Sequence, residues 1–200
     1  MTDSAVAAKW PNFLLPAGLS GTVLAAIGAL GWLAGIPWLL PSLGPTLAIQ
    51  TSTPLHASAR MRNVAFGHGI GLAAGLLAVF LTGAAHAPAV MDMVKDTLSL
   101  ERVAASVIAV ALSLAVQHRF KLTHPPAEAT TLIVALGGVE PTPAGALTVV
   151  AAIALVTVLG EAARRLSART PALATSDCIH GELSRPVLKS PPAYSAARRG

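Results

Sequence analysis

Four apolar runs, at 13–33, 64–81, 103–118 and 144–159, constrain this chain more than any other feature. A helix of about 20 residues spans the hydrocarbon core of a bilayer, and the runs reach or approach that length. Between the first and second runs, and again between the third and fourth, lies an apolar stretch that proline interrupts. The stretch 38–49 contains Pro41, Gly44 and Pro45, and the stretch 120–138 contains Pro125 and Pro126. Neither can span as a regular helix. Backbone groups freed by proline find no water in hydrocarbon, so a broken segment has to be buried in protein or face a water-filled cavity. Two successive prolines remove two donors and push the preceding residue out of the α region. His124 is therefore expected at the end of an extended piece, with a short helix starting just after it.

Composition agrees with this reading. Of the 200 residues, 54% are hydrophobic and 12% charged, which places the chain among membrane proteins rather than soluble domains. The formal net charge of +5 reads as a topology signal, not a nucleic-acid patch, because the cations flank the apolar runs. Cys178 is the single cysteine, so an intrachain disulfide and a cysteine-rich zinc site are excluded. The first ten residues lack the basic start, short apolar core and cleavage site of a signal peptide. The histidines show no zinc-ligand spacing, and no Ser-His-Asp, P-loop or Rossmann pattern is present. The expectation is a protein that is not an enzyme and holds no metal or cofactor.

The order full helix, broken segment, full helix occurs twice. A shift of about 84 positions lays Gly44-Pro45-Thr46-Leu47 over Glu128-Ala129-Thr130-Thr131. If each broken segment crosses the membrane, the chain crosses six times. One side then holds Lys9, Arg60, Arg62, Arg119, Lys121, Arg164, Arg165 and Arg169, and the other holds Asp92, Asp96, Glu101 and Glu140. Lys95 and Arg102 are the exceptions. The positive-inside rule favours six crossings, which makes the halves inverted repeats, as in many secondary transporters. The fold expected is all-α: a polytopic membrane helix bundle with four full transmembrane helices and two half-helix segments in two inverted repeats. Its parts are a polar lead at 1–12, a transmembrane domain at 13–161 and a disordered cytoplasmic tail at 162–200. The repeats cover about 13–81 and about 103–161.

In such an arrangement two half-helix N-termini meet near the midplane, where unpaired N–H groups and partial positive charge favour an anion. The candidate substrate-binding residues are Ser42, Gly44, Thr46, His124, Thr130 and Thr131. A hydroxyl at such a place also caps its own helix, and a histidine also bonds a backbone carbonyl. Glu128 competes with an anion, and it is a candidate coupling residue because a buried carboxyl favours its protonated form. Asn63 and His68 are secondary candidates; helix-to-helix hydrogen bonding is the plainer role for His68. Gly67, Gly71 and Gly75 share one face, a small-residue stripe for close helix contact within the chain or between copies in a homo-oligomer.

Thr123-His124-Pro125-Pro126-Ala127 with Ala129-Thr130, together with Arg62-Asn63-Val64 and Gly67-His68, resembles the HPP family of integral membrane proteins. That family is named for its His-Pro-Pro motif, and the likeness runs over 13–161. The resemblance implies four transmembrane helices. Its plant and cyanobacterial relatives are associated with nitrite transport, so it also implies a small inorganic anion as cargo. Family members commonly carry small residues right after His-Pro-Pro, where this chain has Glu128. The function expected is a permease or channel for a nitrite- or nitrate-like anion in the inner cell membrane, both termini cytoplasmic. Its partners are the lipid bilayer and the anion, with no nucleic acid. The rivals are a cation or neutral-solute transporter that uses Glu128, and a scaffold or sensor that transports nothing.

Overall fold

The computed structural model describes residues 10–91 and 95–170. Among these there are six α-helices and no strand: α1 Trp10–Ala34, α2 Leu43–Ser52, α3 Met61–Thr82, α4 Leu100–Phe120, α5 Ala127–Ala135 and α6 Pro143–Ala168. Four of them are long and apolar enough to cross a membrane: Leu14–Ala34 of α1, and all of α3, α4 and α6. The short helices α2 and α5 follow the proline-broken leads, as the two interruptions require.

Local chemistry sets the ends. Gly35 at φ +66° and Gly83 at φ +72° take the left-handed conformation that stops α1 and α3 at little cost to glycine. Ser99 caps α4 by accepting from the Arg102 N–H at 3.3 Å, and Thr142 caps α6 by accepting from the Gly145 N–H at 3.1 Å. Pro143 occupies the first turn of α6, where its missing donor matters least. The last helix continues to Ala168, past the boundary expected at 161. Its extension is held by Glu161, which accepts from Arg164 Nε at 2.7 Å and from Arg165 Nε at 2.8 Å. Residues 162–168 are therefore helix rather than tail, while 1–9 and 171–200 lie outside the described residues.

Side-chain contacts give the direction of each element. After Gly35 the chain doubles back along α1: Leu39 lies against Gly28, and Thr51 Oγ1 is 2.9 Å from Ser20 Oγ. Just beyond α2, the Pro54 carbonyl accepts from Arg164 Nη1 at 2.7 Å. Met61, which starts α3, sits beside Glu161 and Arg165 near the end of α6. Leu19, Thr22, Val23 and Ala26 of α1 line the same groove as Leu159, Ala162, Ala163 and Leu166 of α6. So α1 and α3 begin at one end of the bundle, where α6 finishes. The 36–60 segment has traversed the bundle to return there. In the second half, Arg102 at the start of α4 donates to the Ala135 carbonyl at the end of α5 at 3.0 Å. Gln117 near the end of α4 accepts from the His124 N–H at 2.9 Å. Thus α5 runs back along α4 and heads for the opposite end from α2.

The packed helix pairs are α1–α2, α1–α6, α2–α6, α3–α4, α3–α5, α4–α5 and α3–α6. Exchanging α1, α2 and α3 for α4, α5 and α6 leaves this set unchanged. Three apolar clusters fill the interior. One joins Val23, Ile27, Leu43, Leu47, Val64 and Val156; a second joins Ala78, Val79, Ala105 and Ala109; a third joins Leu72, Val134, Val149 and Ile153. Large apolar side chains such as Trp32, Phe66, Phe80, Leu81 and Leu100 are exposed, the arrangement a lipid-facing surface needs.

The glycine stripe of α3 has a partner inside the chain. A Cβ on Gly67 would lie 2.7 Å from His124 Cβ, on Gly71 2.6 Å from Thr131 Oγ1, and on Gly75 2.8 Å from Val134 Cβ. That face is occupied by α5 and its lead. It is thus not free for the homo-oligomer contact the spacing also allowed.

Arg102, one of the two exceptions to the charge count, is an internal brace. It is 4% exposed and donates to the carbonyls of Ala87 at 2.8 Å, Pro88 at 3.1 Å and Ala135 at 3.0 Å. A cation at the C-terminal end of α5 also meets that helix's partial negative charge. Arg102→Met leaves three carbonyls without this donor. The expected loss is about 3 kcal/mol or more, roughly a 10 °C lower unfolding midpoint in detergent. The exposed Arg119→Met serves as the control, expected to shift the midpoint little.

Candidate functional site

The N-terminal ends of α2 and α5 meet, and a closed polar cluster forms where they do. Its members are Ser42 and Thr46 from the first half, His68 from α3, and His124 and Thr130 from the second half. All five are 0–1% exposed. His68 lies seven residues into α3, about 10 Å from its start at the helical rise of 1.5 Å per residue.

The imidazole of His68 bridges the halves. Its Nε2 is 2.9 Å from Thr46 Oγ1, and its Nδ1 is 2.8 Å from Thr130 Oγ1. These two threonines are the pair that the 84-residue shift superimposes in the sequence. Thr130 Oγ1 also lies 2.8 Å from Ser42 Oγ. His124 presents Nε2 to the same Thr46 Oγ1 at 3.1 Å, and its Nδ1 donates to the Ser58 carbonyl at 2.8 Å. The two rings meet edge to face, centroids 5.0 Å apart at 64°. Both Nε2 atoms thus converge on one hydroxyl. Among the residues hydrogen-bonded to the cluster there is no lysine or arginine.

The other candidates take different positions. Thr131 faces α3 and α4: its hydroxyl donates to the Ala127 carbonyl at 3.2 Å and to Ser113 Oγ at 3.4 Å. Gly44 is half-buried and open on its Cβ side, outside the cluster. Asn63 holds the lead of α5 in place by donating from Nδ2 to the Thr123 carbonyl at 3.1 Å. Glu128 also stands apart. Its Oε1 accepts from Gln117 Nε2 at 2.7 Å and Ser113 Oγ at 3.0 Å, while its buried Oε2 has no partner. Gln117 links this carboxyl to the cluster, because its Oε1 accepts the His124 N–H.

Five of the backbone N–H groups expected to face an anion are engaged in the chain itself. In the first turn of α5, the N–H groups of Ala127, Glu128 and Ala129 donate to the carbonyls of His124, Pro125 and Pro126. In α2, those of Leu43 and Thr46 donate to Leu40 and Ser42, and Pro45 has none. Donors for a ligand therefore come from hydroxyls and imidazoles rather than from these amides. The reason is steric. Proline leads turn tightly into both helices, so local carbonyls reach the first amides before a ligand does.

Sequence reasoning missed Ser58, Ser113 and Gln117. The last two stand four apart in a mostly apolar run, a polar face legible from the helical period. Ser58 acts through its carbonyl, which no side-chain pattern reveals.

A family model described as "HPP, transmembrane region" matches residues 7–171. No curated protein and no solved structure matches the chain significantly.

Proposed function

As this chain belongs to the HPP family of transmembrane proteins, we propose that it is a permease or channel for a small inorganic anion, nitrite or nitrate first. The observation that carries the reading is the meeting of two broken helices at a sealed polar cluster between membrane-length helices. Secondary transporters place substrate sites at such junctions, at the interface of inverted repeats. The exchange-invariant packing and the opposed directions of α2 and α5 support that symmetry here. Ser42, Thr46, His68, His124 and Thr130 supply the donors, and opening the cluster to one side at a time exposes them in turn.

The end of the bundle where α1 and α3 start carries Arg60, Arg62, Arg119, Lys121, Arg164, Arg165 and Arg169. The opposite end carries Asp96, Glu101 and Glu140, with Lys95 and the buried Arg102 as the two exceptions. On the positive-inside rule the first end is cytoplasmic, in the inner cell membrane, and both termini lie on that side.

The test is nitrite and nitrate flux into proteoliposomes holding the purified full chain, beside His124→Ala. Native flux that the variant lowers to the level of empty vesicles supports the reading. No flux from folded native protein sinks it. One observation favours a second reading: the unpartnered, buried Oε2 of Glu128 is suited to bind a proton or cation. In that case Glu128→Gln abolishes transport of a cation or neutral solute, whereas an anion permease keeps its flux.

A further inference from the structure

We propose that His124 is a proton-binding site and that the Thr46 hydroxyl is the rotor that lets the closed cluster hold or release this proton, so that the anion crosses with a proton. The anion half rests on the permease reading above; the proton site stands on hydrogen-bond geometry alone.

The Ser58 carbonyl, 2.8 Å from His124 Nδ1, can only accept, so Nδ1 carries a hydrogen in every state of this cluster. A neutral His124 then offers Nε2 as an acceptor, and the Thr46 hydroxyl at 3.1 Å donates to it. The Thr130 hydroxyl donates to Ser42 Oγ at 2.8 Å, so Thr130 Oγ1 accepts from His68 Nδ1 at 2.8 Å. A neutral His68 therefore also turns Nε2 to the Thr46 hydroxyl as an acceptor, at 2.9 Å. One hydroxyl hydrogen serves one ring nitrogen, so with both imidazoles neutral one Nε2 lacks a donor.

A proton on His124 Nε2 admits a second arrangement. His124 then donates to Thr46 Oγ1, and the Thr46 hydroxyl turns to donate to His68 Nε2. Rotating one hydroxyl thus lets one added proton pair both Nε2 atoms, where a buried site penalises an unpaired nitrogen.

Charge supplies the link to the anion. Around His124, α2 carries no titratable side chain, and α3 brings Arg62 and His68. From α4 come Glu101, Arg102, His118 and Arg119, and from α5 comes Glu128. The 56–60 segment brings His56 and Arg60, and α6 brings Glu161, Arg164 and Arg165. Of these, Glu128 reaches His124 only through Gln117, and no cation bonds to the cluster. A lone anion, or a lone proton on His124, is an unbalanced charge in a sealed site. Bound together they neutralise each other, so each raises the affinity for the other.

Two measurements on the full chain test this. In proteoliposomes with the potential clamped by valinomycin and equal potassium, inward nitrate is expected to acidify the lumen, reported by trapped pyranine, with one proton per anion. In detergent, the ¹⁵N imidazole signal of His124 is expected to be neutral near about pH 8 and doubly protonated near about pH 4. Saturating nitrate moves that transition to higher pH. Thr46→Val moves it down by at least about one unit, a tenfold loss of proton affinity, and Thr46→Ser restores it. A His124 that stays neutral to about pH 4 in folded protein overturns the proton site. Nitrate flux without protons overturns the coupling. Absence of flux with a His124 that titrates as described supports the proton site and overturns the anion permease and its coupling.

Discussion

Gly71→Leu is expected to yield no monodisperse folded protein. A Cβ at Gly71 would sit 2.6 Å from Thr131 Oγ1 and 2.9 Å from the Ala127 carbonyl oxygen. The first could rotate away. The second is backbone in the first turn of α5, and moving it moves His124 and Thr130 as well. Even Gly71→Ala should cost about 1–3 kcal/mol by overpacking. A leucine adds three further carbons where α3 and α5 already touch. Gly69, two residues away on the same helix, is exposed, and its Cβ would meet nothing within 4 Å. Gly69→Leu should purify like the native protein. Size-exclusion profiles of the two variants check this. Equal behaviour would show that glycine entropy, not the α3–α5 approach, governs the stripe.

On the permease reading proposed above, His68→Phe is expected to leave a folded protein whose anion flux is reduced about 10- to 100-fold, the equivalent of one charge-assisted hydrogen bond. The ring volume is kept while both nitrogens go. Thr46 retains the Ser42 carbonyl and His124 as partners, and Thr130 retains Ser42, so no hydroxyl is orphaned. The loss should therefore fall on transport more than on the unfolding midpoint. Thr131→Val is the informative comparison. Thr131 adjoins Thr130 in the chain but faces Ser113 and Ala127, so its flux should stay near native. If Thr131→Val is as damaging as His68→Phe, the cluster drawn around His68 is the wrong one.

The pair Thr130 and Thr131 shows where sequence reading stops. Both follow His-Pro-Pro, and both were equal candidates as hydroxyls at a helix start. On a helix, neighbouring residues point about 100° apart, so only one can meet α2 while the other meets α3 and α4. Gly44 illustrates the same limit in α2. His68 shows the opposite case. It hydrogen-bonds from helix to helix, and the helices it joins carry the matched threonines of both halves, which puts it at the centre of the polar cluster. Arg102 could be seen only as a misplaced cation, because the carbonyls of 87, 88 and 135 that it ties together are distant in sequence.

The sequence by itself determined the class of the molecule. Hydrophobic run length fixes four membrane-length helices, and paired prolines force breaks where two short helices start. Those are local properties, written in consecutive residues. Which face of α3 receives α5, which threonine reaches His68, and whether the first-turn amides stay free depend on side chains far apart in the chain. Only packing brought them together. Close approach at Gly67, Gly71 and Gly75 seats His124 against α3, and the proline leads turn the amides inward. The outcome is a buried cluster of imidazoles and hydroxyls where the helix ends alone suggested a cradle of backbone N–H groups.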